Sequence, residues 1–154
     1  MADLLRLLGT GWAVAASVMI LLWFTQRRTG NAGIVDVGWA GATGFLPILY
    51  GFLGEGEPFR RLLLAVLGGL WGVRLAWHLW RDRIWKQPEE GRYVTLRKQW
   101  SPHPDRAFFT FFQAQGLAAV ALSLPFALAT QAPQSFPVAT DLAALALVLI
   151  GVVY

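Results

Sequence analysis

Apolar positions in this chain come in long blocks separated by short polar stretches, with no period of two and little amphipathic alternation. The first block runs from Leu4 to Phe24, the second from Ile34 to Leu53, the third from Leu62 to Trp80 and the fourth from Ala107 to Ala129. A helix rises about 1.5 Å per residue and needs about 20 apolar residues to cross the hydrocarbon core, so each block predicts one spanning helix. A fifth block opens at Asp141, a suitable N-cap, and stops at Tyr154; its fourteen residues fall short of a full crossing. The expected architecture is therefore all-α: a polytopic transmembrane helical bundle of four complete spans and a truncated fifth. It forms a single transmembrane domain over residues 1–154 that breaks off within that fifth span.

The connections follow from the same pattern. Residues Gln26 to Gly33 predict a short turn, Gly54 to Pro58 a break, Arg81 to Arg106 a long loop, and Gln131 to Thr140 an uncharged turn. Arg6 gives the first block a basic start, but the block is longer than a signal-peptide core and no small-residue cleavage site follows it, so it is expected to be retained.

Composition agrees with a membrane protein, at 56% hydrophobic and 14% charged residues. The absence of cysteine excludes disulfides, thiolate metal sites and thiol nucleophiles. In a soluble protein a net charge of +4 would point towards nucleic acid, but here the cations first report topology, and membrane lipids rather than nucleic acid are the expected partner. The turn at Arg27 and Arg28 and the long loop together hold nine Lys and Arg residues, whereas the opposite ends of the blocks hold three, Arg6, Arg60 and Arg61. The positive-inside rule then places loop 81–106 in the cytoplasm and the N-terminus outside.

Against this background the charged residues inside apolar blocks stand out. Arg74 and His78 interrupt the third block and Asp36 the second. An arginine at a helix centre costs about 2.5–3.5 kcal/mol on insertion scales, so a partner or a function is expected for it. Trp71, Arg74, His78, Arg81 and Trp85 fall on one stripe at helical spacing. Asp36 and Arg74 are expected to face each other across the second and third helices, either as a structural ion pair or as the wall of a cytoplasm-facing cavity. An Arg74 side chain that snorkels to the headgroups is the alternative. Gln113 and Gln115 lie about 200° apart on a helix, and interhelical hydrogen bonding accounts for either. Most of the eight tryptophans suit the membrane interface, while Trp39 and Trp71 sit deeper and can line a pocket. In the loop, Arg92, Tyr93 and Arg97 make a cationic and aromatic group suited to a phosphate of a cofactor or lipid. Neither His78 nor His103 has a second ligand at metal spacing, so no metal site is expected. Phosphate loops, dinucleotide fingerprints, nucleophile elbows and zinc-protease motifs are all missing.

Four segments in order carry a resemblance. They are Ile34-Val-Asp-Val-Gly-Trp39, Trp71-Gly-Val-Arg-Leu-Ala-Trp-His-Leu-Trp-Arg-Asp-Arg83, Glu89-Glu-Gly-Arg-Tyr93 with Trp100, and Phe111-Phe-Gln-Ala-Gln-Gly116. Together they resemble the bacterial DUF1295 family, a branch of the steroid 5-alpha-reductase-like membrane proteins. The resemblance runs from about Gly33 to the end of the chain. It implies a helical protein of the bacterial inner membrane that reduces a CH–CH group of a lipid-like or steroid-like substrate with NADPH. On that reading Asp36, Arg74 and His78 are the candidate catalytic residues and supply a proton. Arg81, Arg92, Tyr93 and Arg97 are the candidate cofactor-binding residues, and Trp39, Trp71, Gln113 and Gln115 the candidate substrate-binding ones.

Two departures from the family pattern matter. Glu89-Glu90 stands where the family has Glu-Asp, and the family's C-terminal His-Pro-Asn-Tyr-Phe-Gly-Glu motif has no counterpart, since His103-Pro104-Asp105 lies upstream of the fourth block. The Gln-Glu pair and tyrosine that polarise the enone in steroid reductases are also without counterparts, so steroid specificity is not implied. An S-adenosylmethionine-dependent membrane methyltransferase, or a non-catalytic membrane protein whose charges only hold helices together, are the alternatives.

Overall fold

A computed structural model describes residues 2–153. Six helices follow one another: α1 (Ala2–Thr29), α2 (Ile34–Leu53), α3 (Pro58–Arg83), α4 (Gly91–Gln99), α5 (Pro104–Ala129) and α6 (Ala139–Val153). The first three and α5 are long and apolar enough to cross a membrane. The expected all-helical bundle with four complete spans is thus observed. The end of the fifth block at Tyr154 lies outside the described residues.

α2 coincides with its apolar block, but α1, α3 and α5 are longer than theirs because local signals set their ends. α3 begins at Pro58, whose missing N–H costs nothing at the first helical position, and Glu57 caps it by accepting from the Phe59 and Arg60 amides. α5 likewise starts on a proline, Pro104. α1 continues through Gln26, Arg27 and Arg28, which the apolar pattern assigns to a turn; the turn proper is confined to 30–33. The long loop contains α4, a nine-residue helix with no apolar block behind it.

α2 is the centre of the bundle and packs on α1, α3 and α5, whereas α3 rests almost wholly on α2. The α2–α3 crossing is backbone against backbone. A Cβ built on Gly44 would collide with Gly72 Cα, and one built on Gly72 would collide with Gly44 Cα, so only glycine permits this approach. Around α2 the core divides in two. Leu7, Ala15, Leu46, Tyr50, Ala119 and Ala127 fill one part, where the Tyr50 and Ser123 hydroxyls lie 3.1 Å apart. Met19, Ala32, Val35, Tyr93, Phe108 and Phe112 fill the other, at the end that carries the long loop.

At the opposite end, within the described residues, α6 packs on none of the other helices. Its start is tied in by Arg60, which donates from Nε and Nη2 to the two Asp141 carboxylate oxygens at 2.8 and 2.7 Å and from Nη1 to the Ala132 and Gln134 carbonyls. This fork on a carboxylate satisfies an arginine that is otherwise buried.

Candidate functional site

The α2–α3 crossing sets the register of everything at the loop-side end. The two helices run antiparallel with Gly44 opposite Gly72, so Asp36 lies level with about residue 80, and Arg74 about 9 Å away along the axis. Arg74 is also two residues on from Gly72, which turns it about 200° away from the face that meets α2. The expected Asp36–Arg74 pair is therefore not formed, and depth and direction both exclude it. Arg83, eleven residues after Gly72, returns to the α2 face after three turns and takes the place assigned to Arg74.

Asp36, in the first turn of α2, collects three donors. The Tyr93 hydroxyl donates to Oδ1 at 2.8 Å, Arg92 Nη2 donates to Oδ2 at 2.8 Å, and Arg83 Nη1 donates to Oδ2 at 3.1 Å. Arg92 also donates to the Tyr93 phenol oxygen at 2.8 Å, and its guanidinium lies 4.6 Å from the centroid of that ring. Arg83 extends the group by donating to Glu90 at 3.1 Å. Tyr93 itself is fully buried, with Phe108 and Phe111 at 6.4 and 6.3 Å between ring centroids. Burial first, then the hydrogen bond to Asp36 and its negative charge, raise the Tyr93 phenol well above its ordinary range, and Arg92 only partly opposes them.

A second cluster holds α4 from its other side. Arg97 donates to both Glu89 oxygens at 2.8 and 3.2 Å, and Glu89 Oε1 in turn accepts the Ala32 amide at 2.8 Å in the α1–α2 turn. Arg97 also reaches Gln26 Oε1 at 3.3 Å and lies over the Phe108 ring at 4.8 Å. Nearby, Asp105 binds Arg27 at 3.2 Å, while Trp23 donates its indole N–H to the Asp105 carbonyl at 2.8 Å, joining the ends of α1 and α5. The loop is therefore a folded cap held to three helices by charge-assisted bonds, which are about twice as strong as neutral ones.

The remaining candidates lie elsewhere. Trp71, Arg74, His78 and Arg81 do share one stripe, as their spacing requires, but it is the outer stripe of α3, where they line an open pocket of about 410 Å³. His78 Nδ1 is 3.2 Å from Asp82 one turn on. The geometry thus separates Asp36 from Arg74 and His78, and Arg92, Tyr93 and Arg97 from Arg81. Trp39 is half-buried and touches both parts of the core. Gln113 and Gln115 are half-buried on α5, and the Gln113 Nε2 has neither solvent contact nor a hydrogen-bond partner among the described residues. Among the same residues no group of three or more His, Cys, Asp or Glu is disposed to hold a metal.

The bonds around Asp36 link residues from three of the segments singled out above, and a ring from the fourth packs beside them. Asp36 comes from the first, Arg83 from the second and Glu90, Arg92 and Tyr93 from the third. The fourth supplies Phe111, whose ring packs on Tyr93 and, at 6.0 Å, on Trp100. A family model described as "Protein of unknown function (DUF1295)" matches residues 22–154. The chain belongs to the DUF1295 family. No curated protein and no solved structure matches it. In this DUF1295 chain the matched region opens within α1 and takes in the whole cap, every partner of Asp36 included.

Arg83, Glu89 and Glu90 lie in the quoted segments but are not among the candidate site residues that the sequence offers. For Arg83 a signal exists, its three-turn spacing from the glycine that meets α2. Glu89 lies just before α4 and bonds to Arg97 near the other end of that helix, and no pattern announces that.

Proposed function

We propose that this chain is the membrane-embedded body of an NADPH-dependent reductase acting on a CH–CH group of a lipid-like substrate, with the cap on the cytoplasmic side. What supports the reading is the convergence of the four family-like segments on a single cap centred on Asp36 and Tyr93. Nine cations flank the cap side against three on the other, which supports the orientation.

A polyanionic cofactor needs cations that have no carboxylate of their own. Arg92 and Arg97 do not qualify, because Asp36 and Glu89 already hold them. Lys86 and Lys98 do: both are exposed on the cap side and have no acidic partner among the described residues. The donor set therefore fits the cofactor's phosphates through the two lysines, with Arg92, Tyr93 and Arg97 shaping the loop that carries them, while Arg81 belongs to the outer stripe of α3. When bound, NADPH supplies the hydride. The chain's own part is the proton and its placement. Tyr93 keeps a proton on Oη, directed at Asp36 Oδ1, while Arg92 and Arg83 hold that carboxylate in position. Arg74, His78 and Trp71, on the outer stripe of α3, are left to contact substrate rather than to share this proton.

One observation favours a non-catalytic reading: Asp36 is already satisfied by three donors, as a purely structural carboxylate would be. Thermal unfolding of the detergent-purified chain with NADPH and with S-adenosylmethionine separates the possibilities. The reductase reading expects a rise in midpoint with NADPH that Lys86→Ala with Lys98→Ala abolishes. A rise with S-adenosylmethionine alone would transfer the proposal to a methyltransferase, and no rise with either would leave the structural reading.

A further inference from the structure

On the outer side of the α2–α3 pair two hollows share one wall. The first, of about 420 Å³, runs along the crease between the helices and is almost wholly apolar, with Val37, Gly41, Phe45 and Ile48 from α2 facing Val73 and Trp77 from α3. The second is the cationic pocket of Arg74, His78 and Arg81, and Trp77 lines both. We propose that the two together bind one anionic phospholipid, an acyl chain in the crease and the headgroup phosphate against Arg74 and Arg81. This does not depend on the reductase reading.

Charge complementarity carries the assignment. Neither Arg74 nor Arg81 has a carboxylate partner among the described residues, and the one acid close to the pocket, Asp82, is bonded to His78. Two arginines without carboxylate partners on a membrane-facing stripe, their backbones about 10 Å apart along the helix axis, are costly unless anions meet their side chains. Arg81 lies near the end of α3, level with the cap. Arg74 is deeper, and its long side chain reaches towards the same level by snorkelling. Tryptophans mark the boundary beside them: the Trp77 and Trp80 rings lie 5.2 Å apart and Trp80 and Trp85 4.7 Å, a row of the kind that settles at the headgroup interface. A phospholipid matches both parts at once, because its phosphate answers the guanidinium groups and its chain answers a crease that offers almost no polar surface. A soluble anion would leave the crease unfilled, and a neutral lipid would leave the arginines unmatched.

Native mass spectrometry of the chain released from detergent tests this with phosphatidylglycerol and phosphatidylcholine of identical acyl chains. Wild type is expected to keep one phosphatidylglycerol at an occupancy at least five-fold above phosphatidylcholine. Arg74→Gln with Arg81→Gln should erase that preference, while Arg74→Lys with Arg81→Lys should keep most of it. Gly41→Leu tests the crease separately. A Cβ at Gly41 meets nothing within 4 Å, so the added side chain fills the hollow without disturbing the fold, and phosphatidylglycerol occupancy should drop at least three-fold. Circular dichroism confirms that each variant is folded. Equal retention of the two lipids, or unchanged retention in the Gln double variant or in Gly41→Leu, would overturn the proposal. So would displacement of the lipid by an equal concentration of glycerol phosphate, which would reveal an anion site without a chain. A dimer that the Gln double variant dissociates would overturn it too, assigning the face to a second copy.

Discussion

The Tyr93 hydroxyl donates to Asp36 Oδ1 at 2.8 Å and so joins a buried residue of the loop helix α4 to the first turn of the central span α2. Fifty-seven positions of chain separate the two residues, and α3 with much of the loop lies between them. Through this bond the cap is fixed to the helix on which the rest of the bundle packs.

Tyr93→Phe should therefore destabilise the protein by about 1.5–3 kcal/mol, the usual range for a hydrogen bond to a charged group. Asp36→Asn should also destabilise, and the double variant should fall short of the sum of the two, because each single change already breaks the shared bond. Denaturant titration of the detergent-solubilised protein, followed by tryptophan fluorescence, measures all three. Strict additivity would show that the two residues do not act as a unit.

Alkaline pH gives an independent view of the same bond. The folded-state pKa of Tyr93 is raised above the ordinary tyrosine value of about 10, so its contribution to stability is fully present below pH 10 and is lost only as pH climbs beyond it. Tyrosinate absorbance at 295 nm should accordingly show a phenol that fails to ionise with the free amino acid and that is missing from Tyr93→Phe. Ionisation of every tyrosine near pH 10 in the folded protein would contradict the burial.

Arg74 and Arg83 should behave differently although both are arginines of α3. Arg83→Ala removes donors to Asp36 and Glu90 from a partly exposed position and should lower stability by up to about 1 kcal/mol. Arg74→Ala removes no hydrogen bond or ion pair among the described residues and should leave expression and unfolding midpoint unchanged or slightly raised. A marked loss of expression with Arg74→Ala, rescued by a second apolar change at Asp36, would restore the pairing that the register excludes.

Gly72→Ala should be far more harmful than its single methyl suggests. Overpacking a core typically costs about 1–3 kcal/mol, and here the obstacle is the Gly44 backbone, which has no rotamer to yield. Gly41→Ala, three residues from Gly44 but facing open space, serves as the matched control and should be neutral. Monodispersity on gel filtration after identical purification reports both.

Orientation can be read from single cysteines, since the natural chain has none. With the cap in the cytoplasm, an impermeant maleimide applied to intact cells should label Ser135→Cys and not Ser101→Cys. The reverse pattern would invert the assignment.

How much of this was readable beforehand depends on what carried each feature. The four spans were legible because a membrane demands uninterrupted apolar length, which periodicity and counting detect. Both ends of α2 and the last residue of α5 were legible too, but the ends of α1 and α3 were not, because Glu57 with Pro58 extends α3 and polar Gln26 to Arg28 continue α1 beyond any apolar run. α4 went unseen for a related reason: of Gly91 to Gln99 only Tyr93 is buried, so no apolar stripe advertises a helix. The choice of Asp36 was right as far as its need for partners goes. Arg74 is not its partner, since distance from the loop places a residue in depth but does not say which face of α3 it occupies. Once Gly72 is known to meet α2, a count of two residues turns Arg74 away and a count of eleven brings Arg83 round. Which glycine of Gly68, Gly69 and Gly72 makes the closest contact is a tertiary fact, and sequence spacing does not supply it.

The glycine contact has a mechanical side. Side chains between helices act as soft bearings, since rotamer changes let one element slide or roll while the other stays still; where Gly44 meets Gly72 there is no such bearing. α2 and α3 therefore form a stiff plank, with Asp36 and its clasp on the cap at one end and the arginine-bearing outer stripe along one side. A push on that side, whether from bilayer thickness or from a tightly held headgroup, finds no side chain at the Gly44–Gly72 contact to absorb it and bears on the position of the Asp36 carboxylate.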